Sequence, residues 1–439
     1  MKKIFSIALA ATLLAAGCQK TEVIGTTDNG PAMTFSTEMQ KITKADGDAT
    51  TNPGELPEGN PNLQANGFRI WAFADYDTAV NSNNVTGDRI YDEMSGDLIT
   101  FNGSTWEHVD NKEYYWPAEQ RNLMFFAVSA QEDITSKITP THGIAAPYPS
   151  PATDSEAAVL PDFTDAKLEI NGFIVSNTAK VATDEPAIPV ASNDLMVANF
   201  RNQNSGTASE SVNLKFNHAL TKVQFVFSTT TDPYYKEGEK NLKGEEQKGD
   251  ELKEDGVAPR VYVQKVEVKD LFNTGKLTAS PTGTVTADGR NAYFSNVSLR
   301  WTEQSNETTF TATWPNEGTR FPTSFEKIGT TDGTLTTSSP DDKKSLLLTD
   351  QPKPFATWFM LPQTISDKLV TITYVINERQ FSAMFPLQGS TGGNTISAWD
   401  VNQYVKYNIS LTPDMILFDA TVENWDPNNN GGNGESLQD

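Results

Sequence analysis

The chain is 439 residues long and carries 57 acidic against 34 basic side chains, a formal net charge of −23. So acidic a surface repels nucleic-acid phosphates and anionic lipid head groups, which excludes nucleic acid as a partner. The length suffices for two or three domains with real cores, and abundant Thr, Val, Phe, Tyr and Trp beside Asn, Gly and Asp predict strands joined by turns.

Lys2 and Lys3 open the chain, and residues 4–16 form an apolar stretch too short for a permanent membrane span. It ends in Leu14-Ala15-Ala16-Gly17-Cys18, which reads as a lipobox. Cys18 is the only cysteine, so it has no disulfide partner and no place in a thiolate metal cluster. Its thiol is expected to accept the lipid, and a triacylated cysteine supplies the extra chains that stable anchoring needs. Gln19 follows where Asp would signal inner-membrane retention, so a surface-exposed outer-membrane location is expected. Residues 1–18 are thus read as signal peptide and lipidation site, and the polar, aperiodic residues 19–31 as a tether.

Strand patterns begin at residues 33–39, where Met33, Phe35, Thr37 and Met39 alternate with Thr34, Ser36 and Glu38. Lys41 and Lys44 follow, then a loop rich in Gly, Pro, Asp and Asn. Residues 68–76 carry apolar groups on both faces. Asn102-Gly103 between residues 98–101 and 105–109 predicts a hairpin. Further strands are predicted at 123–128, 168–175 and 194–200, with the Pro-rich stretch 139–161 read as loop. Residues 201–210 read as a polar linker, dividing an N-terminal sandwich at 32–200 from a C-terminal one at 211–425.

In the second half, strands are predicted at 212–216, 222–228, 260–268, 291–301, 308–314, 345–348, 356–361, 369–376, 379–385, 404–411 and 416–423. The charged run 231–259 has interleaved Lys and Glu, four internal glycines and few apolar residues, and it reads as a solvated loop. No segment shows a sustained helical stripe. Two blocks of short strands with regular turns predict paired sandwiches, with barrels as the alternative. Residues 426–439 read as a flexible tail.

Searching for chemistry returns blanks. His108, His142 and His218 are far apart and no Gly-x-Ser-x-Gly elbow accompanies them, so no catalytic residue is nominated. His218 reads as a packed, hydrogen-bonded histidine. No zinc-type spacing exists, and neither a metal nor a cofactor is expected. Residues 389–394 lack the Lys-Ser/Thr ending of a phosphate loop and read as a hairpin turn. Asp426, Asn428, Asn430 and Gly431 begin like a calcium loop, but Leu437 stands where a bidentate Glu is needed. Trp71, Trp106 and Trp301 could stack on sugars or fill the core, and core is the favoured role.

A series of motifs in order gives the chain a family likeness. They are the lipobox followed by Lys20-Thr21-Glu22, the strand at Phe35, Trp106, Tyr114-Tyr115-Trp116-Pro117 and Asp194-Leu195-Met196. Leu214-Lys215-Phe216-Asn217-His218-Ala219-Leu220-Thr221-Lys222-Val223 matches best. Asn273-Thr274-Gly275-Lys276-Leu277, Leu361-Pro362-Gln363, Trp399 with Tyr404 and Tyr407, and the run ending at Trp425 follow. In this order the chain resembles the fimbrillin family, the type V pilins and Mfa-like lipoproteins of anaerobic outer-membrane bacteria.

The resemblance implies an all-β chain of two tandem transthyretin-like β-sandwich domains. It also implies a fimbrial subunit or adhesin, with other fimbrial subunits as partners and a host protein or glycan as the adhesion ligand. Assembly in such a family runs by strand exchange: a surface protease cuts after a basic residue, the first strand leaves, and a neighbour's strand fills the groove. Met33, Phe35, Thr37 and Met39 would form the leaving strand. Ile416, Phe418, Ala420 and Val422 belong to a segment with a donor's pattern, in which Leu417 and Ala420 interrupt perfect alternation. Stalk subunits usually carry Arg at the cut, where this chain offers Lys41 and Lys44. Those lysines are either processing sites for another protease or two exposed loop charges. A glycan-binding surface lipoprotein for nutrient capture is the alternative function, and a lipid-anchored hydrolase a third with no residues to support it.

Overall fold

A computed structural model of the chain describes residues 32–39, 61–75, 90–110, 112–116, 122–141, 165–179, 194–204, 211–248, 251–253, 257–288, 291–313, 347–377, 379–391, 394–412 and 416–424. Cys18, Lys41, Lys44, His142 and the tail lie outside these residues. One short helix, Pro61–Asn66, is the only α-helix among them.

The N-terminal strands are β1 (Phe35–Met39), β2 (Phe68–Asp75), β3 (Ile90–Phe101), β4 (Trp106–His108), β5 (Asn122–Ala130), β6 (Ile138–Thr141) and β7 (Lys167–Ile174). Next come β8 (Thr178–Ala179), β9 (Leu195–Ala198), β10 (Arg201–Asn204), β11 (Val212–His218) and β12 (Thr221–Ser228). Then β13 (Val261–Asp288) and β14 (Asn291–Thr313) form one very long hairpin. The C-terminal strands are β15 (Lys353–Met360), β16 (Leu369–Ile376), β17 (Arg379–Pro386), β18 (Ser390–Thr391), β19 (Asn394–Thr395), β20 (Gln403–Leu411) and β21 (Ile416–Asn424).

The largest sheet runs β1-β11-β9-β5-β10-β14-β13-β16-β17, with β2, β3, β4, β6, β7 and β8 attached off this path. A second sheet, β15-β12-β20-β21, packs across its C-terminal part. Strand β5 shows why the N-terminal half folds as it does. Leu123, Phe125 and Ala127 point into one apolar cluster, while Met124, Phe126 and Val128 point into another. A strand buried on both faces needs an unbroken apolar run, and residues 123–128 supply one. The second of these clusters continues without a break into the space between the C-terminal sheets, through Phe200, Ala219, Leu220 and Val223.

All-β architecture was expected, and several boundaries differ. The expected linker begins with β10, whose register pairs Arg201 with Phe125 on one side and Tyr293 on the other. Asn202 and Gln203 are buried there, so polar composition reflected a hydrogen-bonded interior position and not a solvated turn. Strand β11, placed in the second half, pairs with β1 and β9. Of the expected strands 260–268, 291–301 and 308–314, residues 261–268, 291–301 and 308–313 are parts of the long hairpin. Its interruptions are register shifts, with left-handed residues at Asp270, Glu303 and Asn306 that look like turns in sequence. Of the expected strand 345–348 the described residues are Leu347 and Leu348, and Leu347 pairs with Tyr262 in an isolated bridge. The start of the Pro-rich stretch belongs to β6.

The charged insertion is also more ordered than its composition suggests. Tyr234 pairs with Leu252 and Lys240 with Glu246, and Tyr234 and Leu252 pack on Tyr262, Leu347 and Val375. A few apolar side chains at the base suffice to fold it back on the sheet while Leu242 at the tip stays exposed.

Candidate functional site: an edge strand and its groove

Strand β1 ends the large sheet. It lies parallel to β11, with Phe35 opposite Val212, Thr37 opposite Leu214 and Met39 opposite Phe216. Ahead of it, Met33 N donates to Tyr114 O at 2.8 Å and Val212 N to Thr34 O at 2.8 Å. Met33 and Phe35 are buried, and Met39 packs against the same cluster from its margin. The Phe35 ring stands edge-on to Phe68 at 6.2 Å, and Phe68 in turn contacts Phe216 and Trp106. Burying a Phe or Met side chain is worth about 1.5–3 kcal/mol each, so this short edge strand closes a core it does not otherwise anchor.

On the outward side Thr34 and Ser211 hydroxyls lie 3.0 Å apart, and Asn213 Nδ2 donates to Glu38. The side chains expected to leave therefore share one face and one groove. Lined by Val212, Leu214, Phe216, Phe68 and Trp106, that groove is apolar, with a polar outer lip at Asn213.

Ile416, Phe418, Ala420 and Val422 lie on β21, the outer strand of the second sheet, paired antiparallel to β20 alone among the described strands. All four face the core, and Ala420 is fully buried. Phe418 stacks between Phe385 and Tyr407 at 5.5 Å from each. Ala420 thus continues the alternation it was expected to interrupt. Leu417 points outward and is 54% exposed.

The other nominated residues fall away from any binding surface. Trp71 is buried, Trp106 packs on Phe68 and Phe101, and Trp301 Nε1 donates to Ala219 O at 2.7 Å. None of the three is free to form a sugar platform. His218 is 1% exposed, with Nδ1 3.1 Å from Asp194 Oδ1, which agrees with a packed histidine. Its partner was not foreseen. The signal was present in Asp194 opening one predicted strand and His218 falling just past another, but pairing between β9 and β11 cannot be read from either alone. His108 Nε2 sits 3.5 Å from Asp97 and beside the Tyr114 ring. Among the described residues no group of three or more His, Cys, Asp or Glu side chains could hold a metal ion. Where a hairpin turn was expected, Ser390 and Thr391 pair antiparallel with Thr395 and Asn394.

Comparison with curated proteins finds no match. Among solved structures, a fimbrial protein from Bacteroides vulgatus ATCC 8482 aligns over 90% of this chain and 100% of its own, at 13% identity and a TM-score of 0.45. A fimbrial assembly protein from Parabacteroides distasonis ATCC 8503 aligns over 83% of this chain and 95% of its own, at 10% identity and a TM-score of 0.28. The sequence profile described as fimbrillin-like matches residues 58–425, most of the chain, and the chain therefore belongs to the fimbrillin-like family.

Proposed function

We infer that this protein is a surface fimbrial subunit or adhesin, tethered through Cys18 to the outer membrane and assembled by strand exchange. Family membership supports the fimbrial and cell-surface part of this reading. The observation that carries the rest is β1: a terminal strand with one strand partner among the described strands that nonetheless, with Met33 just ahead of it, supplies Phe35 to the core. Cleavage after Lys41 or Lys44 would cut β1 from the body of the chain and leave an apolar groove along β11 in want of a strand. Such a groove is completed by main-chain pairing plus alternate side chains from another segment.

Strand β21 has the side chains for it. Set against Met33, Phe35, Thr37 and Met39, the residues Ile416, Phe418, Ala420 and Val422 place apolar, Phe, small and apolar groups in the same order. Asp419 would then fall at the place of Ser36, opposite Asn213, whose amide can donate to a carboxylate.

N-terminal sequencing of the protein taken from the cell surface tests the reading. A start near Ala45, with ladder-like multimers on gels run without boiling, is the expected result. Replacing Lys41 and Lys44 together with Gln should keep the start at Cys18 and abolish the ladder. A ladder that persists in that variant with β1 still attached would refute the exchange mechanism.

A further inference from the structure

The groove and the second sheet share one piece of chain. Strand β11, which holds β1, runs through Ala219 and Leu220 directly into β12, which pairs in parallel with β20. Between the two strands the backbone is gripped from three sides, and Ala219, Leu220 and Thr221 are fully buried. Ala219 N donates to Leu195 O at 2.7 Å, and Ala219 O accepts from Trp301 Nε1 on the long hairpin at 2.7 Å. Asn402 N donates to Leu220 O at 3.0 Å, and Thr221 Oγ1 donates to Asp400 O at 2.7 Å.

The last two contacts matter most, because Asp400 and Asn402 form the turn that launches β20. Asn402 takes a left-handed backbone with φ 60°, and Asp400 exchanges hydrogen bonds with the Gln403 amide, so the turn is closely defined. Strand β20 in turn is the only strand partner of β21 among the described strands. An unbroken path of paired backbone therefore runs from β1 through β11, the joint at 219–221, the 400–402 turn and β20 to β21.

We propose that this joint couples the two edges: a strand seated in the groove holds β21 in place, and an empty groove loosens it. Losing β1 turns β11 into an edge and removes the packing on Val212, Leu214 and Phe216. Motion of β11 reaches the joint, where a buried carbonyl that shifts away from its donor carries the cost of an unmade hydrogen bond. The turn that places β20 relaxes with it. The biological purpose rests on the strand-exchange reading, under which cleavage would prime both ends of a subunit, opening the acceptor and freeing the donor. The coupling itself needs one molecule only.

Hydrogen exchange on the intact chain reads it directly. Phe35→Ala should speed exchange in β20 and β21 by about tenfold or more, and leave β16 and β17, across the same sandwich but off the path, nearly unchanged. If Phe35→Ala unfolds the chain outright, Thr37→Asp, which sets a charge against the groove, provides the same readout. A gain confined to β1 and β11, or one spread equally over β16 and β17, overturns the proposal. Thr221→Val removes the hold on Asp400 O, and in that background the effect of Phe35→Ala on β20 and β21 should largely vanish. Full additivity of the two substitutions would overturn the coupling as well. Coupling in a chain that never forms multimers would leave the joint standing and remove strand exchange, and multimers without coupling would do the reverse.

Discussion

The His218 imidazole and the Asp194 carboxylate meet where neither reaches solvent. Removing one partner of a buried hydrogen-bonded pair leaves the other unsatisfied, a loss of about 1–3 kcal/mol. His218→Ala is expected to lower stability by that order in urea unfolding, whereas a change at the exposed Leu242 should fall within about 0.5 kcal/mol. The motif that contains His218 gains a physical meaning from its neighbours. Phe216 lines the groove, Asn217 Nδ2 donates to Asn199 Oδ1 at 2.8 Å, and Ala219 to Thr221 form the joint. Other motif residues that carried the family likeness are also structural. Gln363 uses both ends of its amide on the Phe272 backbone, accepting from N at 2.9 Å and donating to O at 3.2 Å. Gly275 admits the Trp301 ring, which a Cβ there would crowd at 3.0 Å.

At the scale of elements, strand β21 is seated by more than its ladder. The hairpin of β18 and β19 closes over it, and Gly389 lies so near Ala420 that an added Cβ would overlap the alanine methyl. Gly389→Val should therefore cost about 1–3 kcal/mol through overpacking and loosen β21 selectively, visible as faster exchange in β21 than in β15. Individual strands were largely legible in the sequence: β2, β5, β7, β12, β16, β17, β20 and β21 fall within a few residues of their predicted bounds. What could not be read was continuity and partnership. Residues 269–288 extend β13 without announcing it, because bulges need the same Asn, Asp and Gly that turns use. Likewise β10 looks like a linker because its polar side chains are buried and hydrogen-bonded, a fact that depends on β5 and β14 lying alongside. The groove was half legible. Met33 and Phe35 announced one apolar face, but Phe68 and Trp106, which complete it, lie far along the chain and gave no local sign of meeting there.

For the molecule as a whole, buried phenols set the response to alkali. Burial, with Asp232 nearby, pushes Tyr234 up to about 12. Burial also raises Tyr407, although the bond from Trp399 works in the opposite direction. A phenol whose folded pKa is raised contributes fully below its unfolded value of 10.0, and that contribution is lost as pH climbs through the folded value. Melting temperature should thus fall once pH passes 10, most steeply between there and about 12, and Tyr407→Phe should make the fall shallower, as followed by calorimetry with phenolate absorbance.

The parallel alignment of β1 with β11 has one further bearing. Whatever segment takes the place of β1 in the same register must point the way β1 points, so each added molecule would face the same direction as the last. Filaments built this way have two unlike ends and cannot close into symmetric pairs. Labelled subunits added to such a fibre would accumulate at a single end, and equal labelling at both would mean that the incoming segment binds in some other orientation.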